Sequence, residues 1–209
     1  PDNSFVLRFS KSILRKLVHH TLKSYDLVLV TNSIQAEKLK SMFPEIHGCL
    51  KVVENGISRV RLEGLDKTRK IIQQRSESVR RPYRVSSVGN VGMSFHVETL
   101  IHTAAKLPSD DFEFYIVGDG TQLNKAKKLV RNKDLKNIHF IGQLDWNALG
   151  KYYSQSDLLY LQVHPDYNTS RPVRLYEYLA TGLPLILADN GEAREFALKF
   201  DNVFNIEPC

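Results

Sequence analysis

From Asp26 almost to the end of the chain, short continuous apolar runs alternate with stretches in which apolar residues recur every three or four positions. A run that is apolar throughout predicts a strand buried on both faces, and the helical recurrence predicts a helix with one apolar side. Strands are therefore predicted at Asp26–Thr31, Leu50–Val53, Tyr83–Gly89, Phe112–Val117, Ile138–Ile141, Leu158–Val163, Leu183–Ala188 and Val203–Ile206. Helices are predicted at about 33–42, where Pro44 closes the element, and at about 96–107, 121–132, 145–154, 172–181 and 191–199. Such an order implies an open α/β fold with a parallel sheet covered on both faces. Glu54-Asn55-Gly56 is a turn signal, and residues 58–81 are polar without a buried run. The chain thus divides into 1–56, a partly helical linker at 57–81, and 82–209. No repeat of about 20–50 residues is visible.

In an open sheet of this kind, ligands bind beyond the carboxyl ends of the strands where strand order reverses. The segments to search are the loops after Val88, Val117, Ile141, Val163 and Ala188.

Composition narrows the picture. The 209 residues are 42% hydrophobic and 25% charged, which suits a globular protein, and no apolar run is long enough to cross a bilayer. The chain begins at Pro1 and stops at Cys209 just after a strand-like run, so both ends read as cut. Cys49 and Cys209 make neither a disulfide framework nor a zinc site, which fits a reducing compartment, the cytoplasm. The net charge of +6 is uneven: residues 1–80 carry 15 Lys/Arg against 8 Asp/Glu, and the remainder 14 against 15. The front segment sets Arg8, Lys11, Arg15, Lys16 and Lys23 among Phe5, Val6, Leu7, Ile13, Leu14, Leu17 and Val18, the pattern of a basic amphipathic helix. It reads as a solvated helix face or as a peripheral contact with anionic membrane; nucleic acid is not expected.

Two segments carry candidate chemistry. Gly118-Asp119-Gly120 ends a strand and opens a helix, where glycines let backbone approach a phosphate. As a dinucleotide fingerprint it fails, because Leu123 stands at the third glycine position, and a plain tight connection explains it equally well. The second segment, Asn168-Thr169-Ser170-Arg171-Pro172, leads into Val173–Thr181, with Thr169 or Ser170 as a cap, Pro172 in the first turn and Gly182 as the stop. On a helical wheel Leu175, Tyr176, Leu179 and Ala180 form the core arc, with Arg171, Arg174, Glu177 and Tyr178 opposite. Since this helix starts at the carboxyl end of a strand, its two arginines are expected to form an anion seat. His19-His20 cannot share a helix face for a metal. His96 and His164 lie at the predicted crevice, either contacting a ligand or structural. Asp145 reads as the cap of a helix with Trp146 packed behind it, and Asp166 lacks a partner for two-carboxylate hydrolysis.

Residues 171–186, RPVRLYEYLATGLPLI, resemble the Pro-Ser-Lys-x-x-Glu-Tyr-x-Ala-x-Gly-x-Pro-Val-Ile stretch of GT4-type (group 1) glycosyltransferases. The rest follows in the same order: Glu54-Asn55-Gly56-Ile57 looks like the family's turn between domains. YRVSSVGNVG at 83–92, FEFYIVGDG at 112–120 and NIHFIG at 137–142 look like the first three strands of its donor domain. The resemblance implies a GT-B architecture of two Rossmann-like domains, with 1–56 the tail of the acceptor domain and 82–209 most of the donor domain. It implies a retaining enzyme that moves a sugar from a UDP- or GDP-sugar to a glycan or lipid-linked acceptor, with no metal or other cofactor. Arg174 and Glu177 would be catalytic, Arg174 on the diphosphate and Glu177 on the ribose. Gly89, Asn90 and Gly92 would approach the phosphates with Gly118 and Gly120, and Ile141, Gly142 and Gln143 would meet the base. His164, Thr169, Ser170 and Arg171 would complete the donor site. The sequence departs from the family where Thr169 replaces its first glutamate and where Asn90 and Phe95 replace an Arg and a Lys. Two other readings share the scaffold, a non-catalytic nucleotide-sugar-binding or partner subunit and a nucleotide-sugar epimerase.

Overall fold

The computed structural model describes residues 3–75 and 81–208, with backbone alone for residues 3–11. The chain forms two compact units, Pro1–Asn55 and Gly56–Cys209.

The first unit contains α1 (Asn3–Lys23), β1 (Val28–Val30), α2 (Ser33–Met42) and β2 (Leu50–Val52). β1 and β2 pair in parallel, Val28 opposite Leu50 and Val30 opposite Val52. Asn32 caps α2 by accepting from the Gln35 N–H at 2.8 Å, which satisfies one of the donors a helix start leaves open. The core is small: Val30, Ala36, Phe43, Ile46 and Leu50, with Val18 and Leu22 of α1 laid against it. The side chains of Phe5, Val6, Leu7, Arg8 and Lys11, part of the basic amphipathic pattern, lie outside the described residues.

The second unit contains α3 (Arg59–Gln73), β3 (Tyr83–Val88), α4 (Val97–Ala104), β4 (Phe112–Val117), α5 (Leu123–Asn132) and β5 (Ile138–Gly142). It continues with α6 (Trp146–Gln155), β6 (Leu158–Gln162), α7 (Val173–Thr181), β7 (Leu185–Ala188), α8 (Glu192–Ala197) and β8 (Val203–Ile206). The six strands are all parallel in the order β5-β4-β3-β6-β7-β8. The chain winds outward from β3 to β5, then returns to place β6 on the other side of β3. The switch point, and with it the crevice, lies past the carboxyl ends of β3 and β6.

Successive side chains of a strand point to opposite faces, and both faces of this sheet are buried. Leu159, Leu161 and Val117 join one core cluster with Leu175 and Tyr178 of α7, whereas Tyr160, Phe114 and Ile116 join the other with Leu100 and Ile101 of α4.

The linker reading of 57–81 does not survive for its first two thirds. Ser58 caps α3, whose residue Leu65 is 1% exposed and belongs to the main core, with Thr68 buried one turn on. α3 packs on α6 and α7. Its buried stripe is one leucine, one threonine and the partly buried Ile72, too sparse to register as an apolar face. Where the helix runs out, Asp157 gathers the Arg75 guanidinium, the Arg81 guanidinium at 2.7 and 2.8 Å, and the Arg84 N–H at 2.8 Å.

Candidate donor crevice at the switch point

α7 starts beyond the carboxyl end of β6 and ends at Gly182, whose φ of +72° is the left-handed conformation that closes a helix. Its start differs from the expected one. Pro172, extended at φ −69° and ψ 142°, holds the cap position, and no side chain caps the helix. Thr169 and Ser170 lie in the approach loop, where the Ser170 N–H donates to the Tyr167 carbonyl.

The wheel also needs correcting. Tyr178, assigned to the outward arc, is fully buried on the core side. Its hydroxyl accepts from the Val88 N–H at 2.6 Å and donates to the Val88 carbonyl at 3.0 Å, finishing the hydrogen bonding at the end of β3. α7 is covered by the sheet on one side and α3 on another, so its buried arc is wider than a one-sided helix would need.

Glu177 is also buried, 8% exposed. Its partner is Arg61 of α3, whose Nη1 donates to Oε1 at 2.9 Å. The Tyr153 hydroxyl donates to Oε2 at 3.5 Å, and the Arg61 guanidinium lies 4.7 Å from the centre of the Trp146 ring. Burial pushes the Glu177 carboxyl above its ordinary pKa, and Arg61 and Tyr153 pull it back. Sequence reading missed Arg61 and Tyr153, because nothing in a polar segment 116 residues upstream marks one arginine as the partner of this glutamate.

The two arginines part company. Arg171 is buried with its Nη2 on the Glu192 carboxylate, its Nη1 3.2 Å from the Tyr176 hydroxyl and its guanidinium 4.4 Å from the centre of the Phe196 ring. Burial alone would lower its pKa, but Tyr176 and Glu192 raise it. It is committed to the start of α8, and the expected two-arginine seat reduces to Arg174. The Arg174 guanidinium donates from Nη2 to the Asn90 carbonyl at 2.9 Å and lies 3.9 Å from the centre of the Phe95 ring. It runs so close beneath the loop after β3 that a Cβ on Gly89 would come within 2.6 Å of Cζ.

Three loops meet above it. The Gly89 N–H donates to Val117, the Val91 N–H to Asp119 at 2.9 Å and the Gly118 N–H to the Gly142 carbonyl at 2.8 Å. Gly118 has a φ of +139°, and a Cβ there would fall 1.9 Å from the Gly89 carbonyl oxygen. Gly120 is similarly pressed on Asn90 and Val91. Both glycines are needed for loop passing loop, whatever they offer a ligand.

Gly89, Asn90, Gly118, Asp119, Gln143 and Leu144 line a cavity of about 290 Å³ at this junction. A second, of about 230 Å³, lies further along the same loop and is lined by Gly92, Phe95, His96, Glu98, Lys125 and His164 among others. The crevice thus brings together Gly89, Asn90, Gly92, Gly118, Gln143, His164 and Arg174. Ile141 packs partly buried against the core, Gly142 has its carbonyl taken, and Thr169, Ser170 and Arg171 line neither cavity. Asp145 caps α6 at 2.9 Å, and His19 pairs with Glu45 at 2.7 Å. Among the described residues no cluster of His, Cys, Asp and Glu could hold a metal, and no helix is long and apolar enough to cross a membrane.

The family model described as glycosyl transferases group 1 matches residues 68–209. No curated protein sequence matches the chain. Among solved structures, WaaG, a glycosyltransferase involved in lipopolysaccharide biosynthesis, aligns with a TM-score of 0.67 at 19% identity, covering 86% of this chain and 48% of its own. Sucrose-phosphate synthase from Thermosynechococcus elongatus aligns at 0.69 and 21% identity, covering 93% and 48%. Anabaena HepE in complex with UDP-glucose aligns at 0.63 and 19% identity, covering 93% and 53%. The chain spans about half the length of these neighbours.

Proposed function

The chain belongs to the glycosyl transferases group 1 family and has the Rossmann-like sheet of GT-B glycosyltransferases, and from that premise we propose that its second unit holds the nucleotide-sugar donor of a retaining transferase. The observation that carries this reading is the Arg174 guanidinium under the loop at the switch point, bonded to the Asn90 carbonyl at 2.9 Å, with Glu177 one turn further along α7. The donor is a UDP- or GDP-sugar, and the acceptor a glycan or lipid-linked glycan. UDP is supported by the neighbours whose structures hold UDP-glucose or UDP.

In this reading the base enters the cavity between Gly118 and Gln143, and the ribose hydroxyls donate to the Glu177 carboxylate. The diphosphate lies along the Gly89–Gly92 loop, above the Arg174 guanidinium. As the bond from sugar to diphosphate breaks, negative charge grows on the leaving phosphate, and Arg174 lies where it stabilises that charge most. A guanidinium offers two parallel donors to a phosphate, so one arginine supplies both charge and orientation without a metal. Asn90 and Phe95 add no cation, which favours as second reading a subunit that binds nucleotide sugar without turning it over.

The test is a thermal-shift panel of UDP, GDP, ADP and their sugars on the full-length protein, followed by product analysis. A ligand that binds only the folded state raises the melting temperature by mass action. The expected outcome is a shift with one nucleotide family, donor turnover with retained anomeric configuration, and no effect of chelator. Binding without hydrolysis or transfer selects the second reading, and no shift with any nucleotide rejects both.

A further inference from the structure

The cavity of about 230 Å³ contains two imidazoles with no structural employment that accounts for both. The rings of His96 and His164 meet edge to face, centres 4.4 Å apart at 87°. His164 is fixed: its backbone N–H donates to the Ser94 carbonyl, and its Nδ1 accepts from the Asp166 N–H at 3.1 Å, so a neutral ring carries its proton on Nε2. His96 occupies the cap position of α4, but its side chain makes no cap hydrogen bond. The charged groups around the pair are Glu98 of α4 and Lys125 of α5, bonded to each other at 2.7 Å, and Asp166, 3.7 Å from His164 Nδ1; Tyr167 stacks edge-on to His164. Burial, and then the neighbouring His164, hold the His96 pKa below its ordinary value, which favours the neutral ring in the free protein.

We propose that this cavity is a proton-linked seat for a phosphate-type dianion, in which His96 takes a proton from solvent as the anion arrives. With a nucleotide sugar, the diphosphate would sit between this seat and Arg174, which meets the same loop at Phe95. The assignment to the donor rests on the reading above; the seat itself does not. The argument is one of charge. Arg174 brings one positive charge, Lys125 is partly neutralised by Glu98, and Asn90 and Phe95 bring none. A dianion therefore favours imidazolium at His96, whose side chain makes no cap hydrogen bond, whereas His164 already has its Nδ1 on the Asp166 N–H. Because the bound-state pKa is raised and the free-state pKa is depressed, affinity rises as pH falls between the two values.

UDP-glucose and GDP-mannose suit the test, because their diphosphates have no proton to exchange in this range. Each is titrated calorimetrically into the full-length protein from pH 8 to pH 6 in buffers of different ionisation enthalpy, with sodium sulfate as a free dianion of constant charge. The expected result is uptake of about one proton and an affinity gain approaching tenfold per pH unit. His96→Asn, which puts a favoured capping residue at the head of α4, should keep the melting temperature but show neither proton uptake nor a gain in affinity as pH falls from 8 to 6. Binding of a nucleotide sugar by wild type without proton uptake overturns the inference, as does uptake that persists in His96→Asn. Proton-linked binding of sulfate with no binding of any nucleotide sugar leaves the seat standing and removes the donor reading. If neither ligand shows proton uptake, the seat falls whatever the function.

Discussion

α1 and α7 are the two helices in which basic residues draw attention, and they use charge in opposite ways. α1 carries Arg15, Lys16 and Lys23 in the solvent, beside Ile13, Leu14 and Leu17, which are 45%, 60% and 59% exposed. α7 has two arginines at its start, and both are drawn inward, Arg171 to Glu192 and Arg174 to the Asn90 carbonyl and the Phe95 ring. Charge in water is screened within about 10 Å and contributes little to any one contact, whereas charge partly withdrawn from water acts strongly on what it touches. Density of basic residues along a sequence is therefore a poor guide to where an anion binds. Within α7 the same lesson recurs, because one arginine serves the fold and the other remains at the crevice.

The sharpest test separates those two. Arg171→Ala leaves the buried Glu192 carboxylate without its cation, and stability should fall by about 3–5 kcal/mol, read from denaturant unfolding. Its ratio of nucleoside diphosphate to nucleoside affinity should stay at the wild-type value. Arg174→Ala should do the reverse, leaving the unfolding midpoint nearly unchanged and lowering that ratio by about 2–3 kcal/mol, the worth of a charged hydrogen-bond pair. Arg174→Lys should recover only part, since an ammonium lacks the fork. An unchanged ratio in Arg174→Ala would remove the residue from the diphosphate site and erase the contrast.

A smaller effect belongs to Glu177. Glu177→Ala should weaken the best nucleotide by about 1.5–3 kcal/mol in calorimetry, through the ribose contact alone. Its cost to stability should be about 1–3 kcal/mol, from the buried Tyr153 hydroxyl that loses its acceptor, because Arg61 keeps 46% of its side-chain surface in solvent and its stack on Trp146. Equal affinity in wild type and variant would exclude this carboxylate from ribose binding.

The smallest effect is expected from α1. If its exposed apolar and basic residues meet an anionic membrane, each cation contributes about 1 kcal/mol near the surface, and salt removes it. Sedimentation of the full-length protein with phosphatidylserine vesicles should be seen at low salt, fade at high salt, and weaken when Arg15 and Lys16 are both changed to Gln. No sedimentation at low salt would leave α1 as a plain solvated helix.

Much of the fold was legible in the sequence because it is written in local periodicity. Continuous apolar runs marked each strand of the six-stranded sheet to within a residue or two, and Asp145 announced itself as a cap three residues before the N–H it serves. The start of α7 at the carboxyl end of a strand placed it at the predicted crevice, and Arg174 runs beneath the Gly89 loop. Periodicity tells which side of an element is apolar, but not what will be laid against it. Tyr178 became core because α7 is covered on more than one side, and α3 was hidden because a single leucine suffices when the neighbouring helices bring the rest of the apolar surface. The choice between Arg171 and Arg174, and the pairing of Glu177 with Arg61, depend on strand order. Placing β6 beside β3 brings α7 under the Gly89 loop, and the packing of α3 on α7 then brings together two charges 116 residues apart. The sequence by itself determined the strands of the large sheet and the helix that faces the crevice; only the tertiary structure decided which of its side chains remain available there, because burial and partner choice are set by neighbours remote in the chain.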